Sequence, residues 1–154
     1  NKINNVTTNE TNPTGGSSLA RYMTRILELE DGQDAEDIKV KLKAYKPSGT
    51  DVSVYYKILN KDDSSNFDDR SWVKMDQFTN ANVLSSAEND QDFKVYDFSV
   101  PSANLTGLGG EIEYDNDGIT YTGYKYVSIK IVLTSSNAGL IPRVSDLMMI
   151  ALQI

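Results

Sequence analysis

The sequence predicts an all-β protein, an antiparallel β-sandwich of about seven to nine strands with jelly-roll-like connections, and three observations support this prediction. From residue 19 onward, apolar residues recur with a period of 2 rather than 3.6. Clusters rich in Gly, Pro, Asn, Ser and Asp separate these alternating stretches and are typical of turns. The connections are unequal and some are long, which favours a jelly roll over an up-and-down barrel.

The N-terminal stretch, residues 1–18, is predicted to be a flexible linker. It consists mainly of Asn, Thr, Ser and Gly, with few apolar residues besides Ile3 and Val6. Such a stretch buries too little apolar surface to offset the entropy lost on ordering it. The predicted organisation is therefore a linker at 1–18 and a β-sandwich domain at 19–154. Because the chain begins with Asn and a linker-like tail, we expect it to be the C-terminal part of a longer polypeptide.

The first predicted strand spans Arg21 to Glu30 and ends at a turn formed by residues 30–34. Leu27 and Leu29 lie on the same side of this strand, since side chains two positions apart point the same way. We expect both leucines to face the core.

The clearest alternation in the chain begins at Ile38 and ends at Tyr45. One face of this run is apolar, and the other carries Lys39, Lys41 and Lys43. A Pro- and Gly-containing turn at 46–50 leads to a second alternating run at 52–58, so the two runs are predicted to form an antiparallel hairpin. The lysines imply that one face of this sheet is solvated. Together with Lys57 across the hairpin they form a positive patch, which either guides an acidic partner or protects the sheet from edge pairing.

Shorter strands are predicted in the middle of the chain. One spans Trp72 to Gln77, and another spans Phe93 to Val100 and stops at Pro101. A long Gly- and Asn-rich excursion follows over residues 102–123, and its Asp-Gly pair predicts a small hairpin around residues 115–118.

The last two predicted strands are strongly apolar. Tyr124 to Thr134 alternates with period 2, whereas Val144 to Leu152 is apolar on both faces in its second half. That pattern predicts the most buried strand of the domain, or one covered by a partner. The apolar end of the chain, residues 147–154, is thus either a central strand or a contact surface, with Met148 and Ile150 as its interface candidates.

Composition and charge exclude several functional classes. Asp and Glu number 22 against 15 Lys and Arg, and the formal charge of −7 argues against binding nucleic acid. With no Cys and no His, the chain cannot form disulfides, Cys/His zinc sites or an imidazole-based catalytic centre. No apolar run approaches the ~20 residues of a membrane span. Six Glu residues fall at predicted surface or loop positions, namely Glu28, Glu30, Glu36, Glu88, Glu111 and Glu113, so we expect neither enzymatic activity nor a cofactor.

Two acidic stretches are candidates for calcium binding, because calcium prefers clustered carboxylate oxygens. The first stretch contains Asp62, Asp63, Asp68 and Asp69. Its spacing is not that of an EF-hand, and Asp residues are also common in solvated loops. The second, residues 115–118, lacks a later acidic residue and equally fits a hairpin turn. The sequence therefore assigns no metal and retains the four aspartates only as candidates.

Aromatic side chains are the remaining candidates for recognition. Several tyrosines fall at polar-facing or loop positions: Tyr45, Tyr55, Tyr121, Tyr124 and Tyr126. Exposed tyrosines can stack on sugar rings or anchor a protein interface, although cross-strand packing on the outside of a sheet is the alternative. Trp72 is predicted to fill the core or to cap one end of the sandwich.

Several segments of the chain resemble a known family. They are Ala20–Arg25, Ala44–Thr50, Val54–Lys57, Trp72–Val73 and Ile129–Ser136, followed by Pro142 and Asp146. In these segments the chain is similar to virion structural proteins of contractile-tailed bacteriophages, especially myoviruses of marine cyanobacteria. The resemblance extends over most of residues 19–152 and is least pronounced at 78–123.

The resemblance implies a non-enzymatic module of the virion, located in the tail, baseplate or fibre. Such a module acts through contacts with other virion proteins or with copies of itself, and its motifs imply no catalytic residue. The candidate interface residues are Tyr45, Tyr55, Tyr121, Tyr124, Met148 and Ile150. The alternative is a carbohydrate-binding jelly-roll module that binds a host-surface glycan through loop tyrosines, with calcium held by the Asp-rich loops.

Overall fold

A computed structural model of the chain describes residues 8–79, 82–136 and 139–154. The described residues are built almost entirely of strands, with two single-turn 3-10 helices at Phe67–Asp69 and Ser102–Asn104. In chain order the strands are β1 (Arg21–Met23), β2 (Leu27–Glu28), β3 (Asp37–Tyr45), β4 (Thr50–Leu59), β5 (Val73–Lys74), β6 (Asp76–Thr79), β7 (Lys94–Ser99), β8 (Glu113–Asn116), β9 (Ile119–Thr122), β10 (Tyr126–Ser135) and β11 (Arg143–Leu152). The predicted all-β class is confirmed.

Two antiparallel sheets pack against each other, and β8 and β9 form a separate hairpin. In the five-stranded sheet, β10 pairs with β4 along its whole length, β1 and β2 lie on the other side of β10, and β5 pairs with β4. The four-stranded sheet has the order β11–β3–β7–β6. This arrangement confirms the predicted β-sandwich, and the small hairpin predicted around residues 115–118 is also confirmed.

The core lies between the two sheets and is formed by the apolar sides of the alternating strands. The four-stranded sheet contributes Ile38, Val40, Leu42, Tyr96 and Phe98, and the five-stranded sheet contributes Val52, Val54, Tyr56, Ile129 and Ile131. Buried tyrosines satisfy their hydroxyl groups within the fold: that of Tyr96 donates to the Val83 carbonyl at 2.8 Å. The period-2 pattern therefore identified the inward-facing residues of the long strands correctly.

The predicted hairpin between the alternating runs at 38–45 and 52–58 is wrong. β3 and β4 do not pair with each other but belong to different sheets, so the turn at 46–50 carries the chain across the sandwich. Gly49 has a φ of 85° in this turn, and the Thr50 N–H donates to the Pro47 carbonyl. The apolar faces of the two strands oppose each other across the core, which buries both faces.

Two of the predicted strands, at 21–30 and 72–77, are each divided in the structure. The run from Arg21 to Glu30 forms β1 and β2, and Leu27 is 48% exposed rather than inward. The run from Trp72 to Gln77 is split at the buried Met75, with β5 in one sheet and the start of β6 in the other. β1 and β2 both pair with β10, whereas the chain changes its pairing partner from β4 to β7 between β5 and β6.

Residues 8–18 do not form the predicted flexible linker; residues 1–7 of that prediction lie outside the described residues. We call residues 8–18 the N-terminal clasp, because they pack across the outer face of the five-stranded sheet. Glu10 and Ser18 are buried, and the backbone N–H of Trp72 donates to the Thr11 carbonyl at 2.9 Å. The clasp lacks apolar residues, but its backbone carbonyls and one carboxylate bind buried lysines, as described below.

The last strand is not the most buried one. β11 is an edge strand that pairs with β3, and its residues alternate between half-buried and exposed. Leu147 and Met149 pack against the core, whereas Met148 and Ile150 are 54% and 39% exposed. The apolar pattern on both faces therefore marks an apolar surface and not a central strand.

Candidate interaction surface

The outer face of the five-stranded sheet contains two buried lysines that hold the N-terminal clasp. The Lys130 side chain is fully buried, and its Nζ donates to the carbonyls of Glu10 at 2.5 Å and Gly15 at 3.0 Å. The Glu10 carboxylate lies 3.5 Å from the same Nζ and accepts the backbone N–H groups of Ser17 and Ser18. Burial lowers the pKa of Lys130, and the charge of Glu10 acts in the opposite direction.

Aromatic rings complete this closed face. Trp72, Tyr55 and Val132 form a second buried cluster, outside the sandwich core. Lys57 Nζ lies 4.9 Å from the centre of the Trp72 ring and donates to the Pro13 carbonyl at 3.1 Å. Trp72 therefore neither fills the core nor caps one end, and Lys57 does not join the predicted positive patch. This face is occupied by the chain itself.

Asp63 is the one buried member of the four candidate metal ligands. Burial by itself would raise the pKa of Asp63, but hydrogen bonds from Ser65, Tyr114 and Asn116 outweigh it and lower the pKa to about 2. The Tyr114 hydroxyl donates to Asp63 at 2.8 Å, and the Asn116 amide donates at 3.1 Å. The carboxylate thus attaches the β8–β9 hairpin to the loop after β4.

The other candidate metal ligands, Asp62, Asp68 and Asp69, are exposed. Among the described residues, no group of three or more acidic side chains could hold a metal ion. The Asp-Gly pair at 117–118 has φ angles of 52° and 79°, which the turn of the β8–β9 hairpin requires. Both acidic stretches therefore serve turns and loop contacts in this structure.

We expect Asp63→Asn to reduce the pH dependence of stability in acid. The pKa is about 2 in the folded protein and 3.8 ordinarily, so the stabilisation is complete above about pH 4 and is lost as the pH falls toward about 2. Urea unfolding at a series of pH values measures this slope. Asp62→Asn, at an exposed neighbouring position, is the control and should retain the wild-type slope. Equal slopes for the two variants would show that the low pKa of Asp63 does not cause the pH dependence of stability.

Most of the predicted interface tyrosines are unavailable to a partner. Tyr45, Tyr55 and Tyr124 are only 5%, 6% and 0% exposed. The Tyr45 hydroxyl donates to the Ser86 carbonyl, and the Tyr124 hydroxyl donates to the Asp37 carbonyl. Tyr121 is half-buried, and its ring centre lies 5.4 Å from that of Tyr114. Segments distant in sequence cover these rings, so the alternation of inward and outward positions along a strand could not identify them as buried.

The outer face of the four-stranded sheet, in contrast, is open among the described residues. Lys41 and Lys43 are exposed there, as the alternation predicted, and Lys41 Nζ lies 3.6 Å from Asp97. Across the strand pair, Met148 lies opposite Lys41 and Ile150 lies opposite Lys39. This surface is therefore apolar along β11 and cationic along β3.

Two further apolar residues, Val95 and Phe78, are exposed and were not identified from the sequence. Val95 is 41% exposed and Phe78 is 60% exposed, with Lys39 Nζ 5.5 Å from the Phe78 ring centre. Val95 and Tyr96 are neighbours in β7, so their side chains point to opposite faces of the sheet. Because Tyr96 is buried, alternation alone could have placed Val95 on the outer face. Phe78 lies at a register shift in the β6–β7 pair, where parity fails.

The free edge of β11 distinguishes this strand from the other edges of the described sheets. β1, β2, β5 and β6 are two to four residues long, which limits pairing with another chain. β11 has ten residues, and it contains no lysine and no proline. A register shift occurs between Val144 and Asp146, and the ladder to β3 is regular from Asp146 to Leu152. We call this regular stretch, 146–152, the β11 edge.

A cleft of about 640 Å³ lies beside β11, between the two sheets. Its lining comes from β1, β10 and the first half of β11 and includes Tyr22, Leu133 and Leu147. Tyr22 is 60% exposed, so apolar surface continues from the β11 edge to the neighbouring sheet. Exposed apolar groups therefore lie on both sides of this cleft, on β1 and on β11.

Comparison of the chain with protein-family models, curated proteins and solved structures finds no match. In the described ranges, neither 3-10 turn nor any other helix has the length and apolar character needed to cross a bilayer.

Proposed function

We propose that the chain is a non-enzymatic structural module that acts through protein–protein contacts at the β11 edge and the adjoining outer face. The observation that carries this proposal is the long, unprotected β11 edge with Met148 and Ile150 exposed beside it. Monomeric proteins blunt such edges, because unpaired backbone groups and apolar side chains there recruit another strand. A partner in an assembly would pair these backbone groups and cover these apolar side chains.

The location that we propose for this module is based on its resemblance to virion structural proteins. We propose that it belongs to the tail, baseplate or fibre of a contractile-tailed bacteriophage, where it contacts other virion proteins or copies of itself. Repeated weak contacts in such a particle add up through multivalency. The carbohydrate-binding alternative has less support, because its tyrosines are largely buried and its aspartates are dispersed.

The test is to follow the domain with a specific antibody through density-gradient fractionation of the source material. We expect the signal to sediment with intact particles, because a structural module remains assembled. A signal confined to the soluble fraction would contradict the virion proposal. Thermal melts with Ca²⁺ and a glycan panel would then test the alternative, which requires a rise in Tm on ligand binding.

A further inference from the structure

We propose that the partner at the β11 edge is the same edge of a second copy of this chain, paired antiparallel about a two-fold axis at Met149. The four-stranded sheets of two copies would then form one continuous eight-stranded sheet. This inference rests on the proposed function, because it names the partner of the same surface. Register, side-chain pairing and charge all favour this partner.

Register favours self-pairing about this axis. The regular stretch Asp146–Leu152 has Met149 at its centre, so an antiparallel copy aligns all of it without offset. In this alignment Met148 lies opposite Ile150 of the second copy, and the same pair recurs on the other side of the axis. Four exposed apolar side chains are thereby brought together on the outer face.

The inner face continues the core in the same alignment. Leu147 and Met149 are half-buried and pack against the sandwich core within one copy. Across the axis Leu147 lies opposite Ala151, and Met149 lies opposite itself, so apolar residues meet apolar residues. Side chains two positions apart share a face, so one alignment satisfies both faces of the strand.

Charge is compatible with this pairing. Asp146 is the only charged residue in the β11 edge, and it lies opposite Leu152 of the second copy. Lys39 and Lys41 lie on β3, and the paired β11 strands of the two copies lie between one β3 and the other. Three interstrand spacings therefore place the two β3 strands about 14 Å apart. This spacing exceeds the ~8 Å Debye length at physiological ionic strength. No like charges face each other directly.

The test compares two double variants in which the same two apolar side chains are lost. In Met148→Glu/Ile150→Glu, the introduced carboxylates face Lys41 and Lys39 within one copy but face each other across the axis. In Met148→Glu/Ile150→Lys, opposite charges face each other across the axis. We expect the wild type to be a dimer by sedimentation equilibrium. We expect the Glu/Glu variant to dimerise at least about tenfold more weakly than the Glu/Lys variant.

Each other outcome overturns the inference. A wild type that remains monomeric at about 100 µM excludes a self-pairing edge of useful affinity. Equal dimerisation of the two variants excludes the register centred on Met149. Circular dichroism melts verify that each variant is folded before it is compared. The fractionation experiment tests the proposed function separately. If the isolated domain is monomeric but sediments with particles, the structural role stands and only the second copy is excluded as the partner.

Discussion

Lys130→Met is expected to lower the free energy of unfolding by about 3–5 kcal/mol. The substitution leaves the buried Glu10 carboxylate without its cation and the Glu10 carbonyl without a donor, and it removes a donor from the Gly15 carbonyl, which keeps the hydrogen bond from Arg21. Each loss carries a desolvation cost, because the groups remain buried if the N-terminal clasp stays in place. Urea unfolding followed by the fluorescence of the single tryptophan, Trp72, measures the change at the clasp itself.

Two further variants test whether the effect of Lys130→Met comes from the buried ion pair with Glu10. Lys39→Met removes a lysine whose side chain is 43% exposed and whose ion pair with Asp37 spans 3.8 Å, and its expected cost is below about 1 kcal/mol. Adding Glu10→Gln to Lys130→Met should restore part of the lost stability, because the buried site then contains no unpaired charge. A Lys130→Met cost as small as that of Lys39→Met would show that this pair does not hold the clasp.

Trp72→Ala is expected to lower the free energy of unfolding by about 3–5 kcal/mol. The ring covers Tyr55 and Val132, and it lies 4.9 Å from Lys57 Nζ and 5.2 Å from Lys130 Nζ. Truncation would leave a cavity beside both ammonium groups and would remove their cation–π contacts with this ring, although Lys130 keeps its contact with Tyr55. Urea unfolding followed by far-UV circular dichroism measures the effect without the lost fluorophore.

Trp72→Phe provides the matched control. The buried Nε1 of Trp72 has no hydrogen-bond acceptor among the described residues, so its loss leaves no new unsatisfied acceptor. We expect Phe to retain most of the ring packing and to cost less than about 2 kcal/mol. A cost equal to that of Ala would contradict the prediction, because it would mean that a smaller aromatic ring does not retain the packing on this face.

The sequence predicted the faces of the long strands but not their partners. Alternation in β3, β4 and β10 identified the inward residues, because burial on one face imposes period 2 locally. The supposed hairpin failed for a non-local reason: a turn with Pro47 and Gly49 suits either a hairpin or a crossing between sheets. What decides between them is β10, which pairs with β4 and follows it in sequence by roughly 70 residues.

The closed face could not be predicted from composition. The N-terminal clasp is polar, and polar segments are ordinarily disordered because they lack apolar surface. Here two lysines at outward positions of β4 and β10 bind the backbone of this segment. The presence of Lys130 within the otherwise apolar run of β10 was the available signal, since a lysine beside buried strands requires acceptors.

The candidate surface was predicted in part. Met148 and Ile150 were identified as interface candidates and are exposed, whereas the burial expected for their strand is wrong. A strand with apolar residues on both faces is ambiguous, because a central position and an uncovered edge produce the same pattern. Tyr45 and Tyr55 were misassigned since segments far away in the sequence cover them.

The late position of β10 and β11 in the chain has a kinetic consequence. β10 joins β1 and β2 to β4, and β11 pairs with β3, a partner roughly 110 residues earlier. The five-stranded sheet cannot assemble before β10 is synthesised, and the four-stranded sheet lacks its edge strand until β11 follows, so folding is expected to be slow and to occur late. A copy in which β11 has not yet been synthesised therefore lacks the strand that we propose for docking, and the β11 edge is presented only after the other strands of the sandwich have been made.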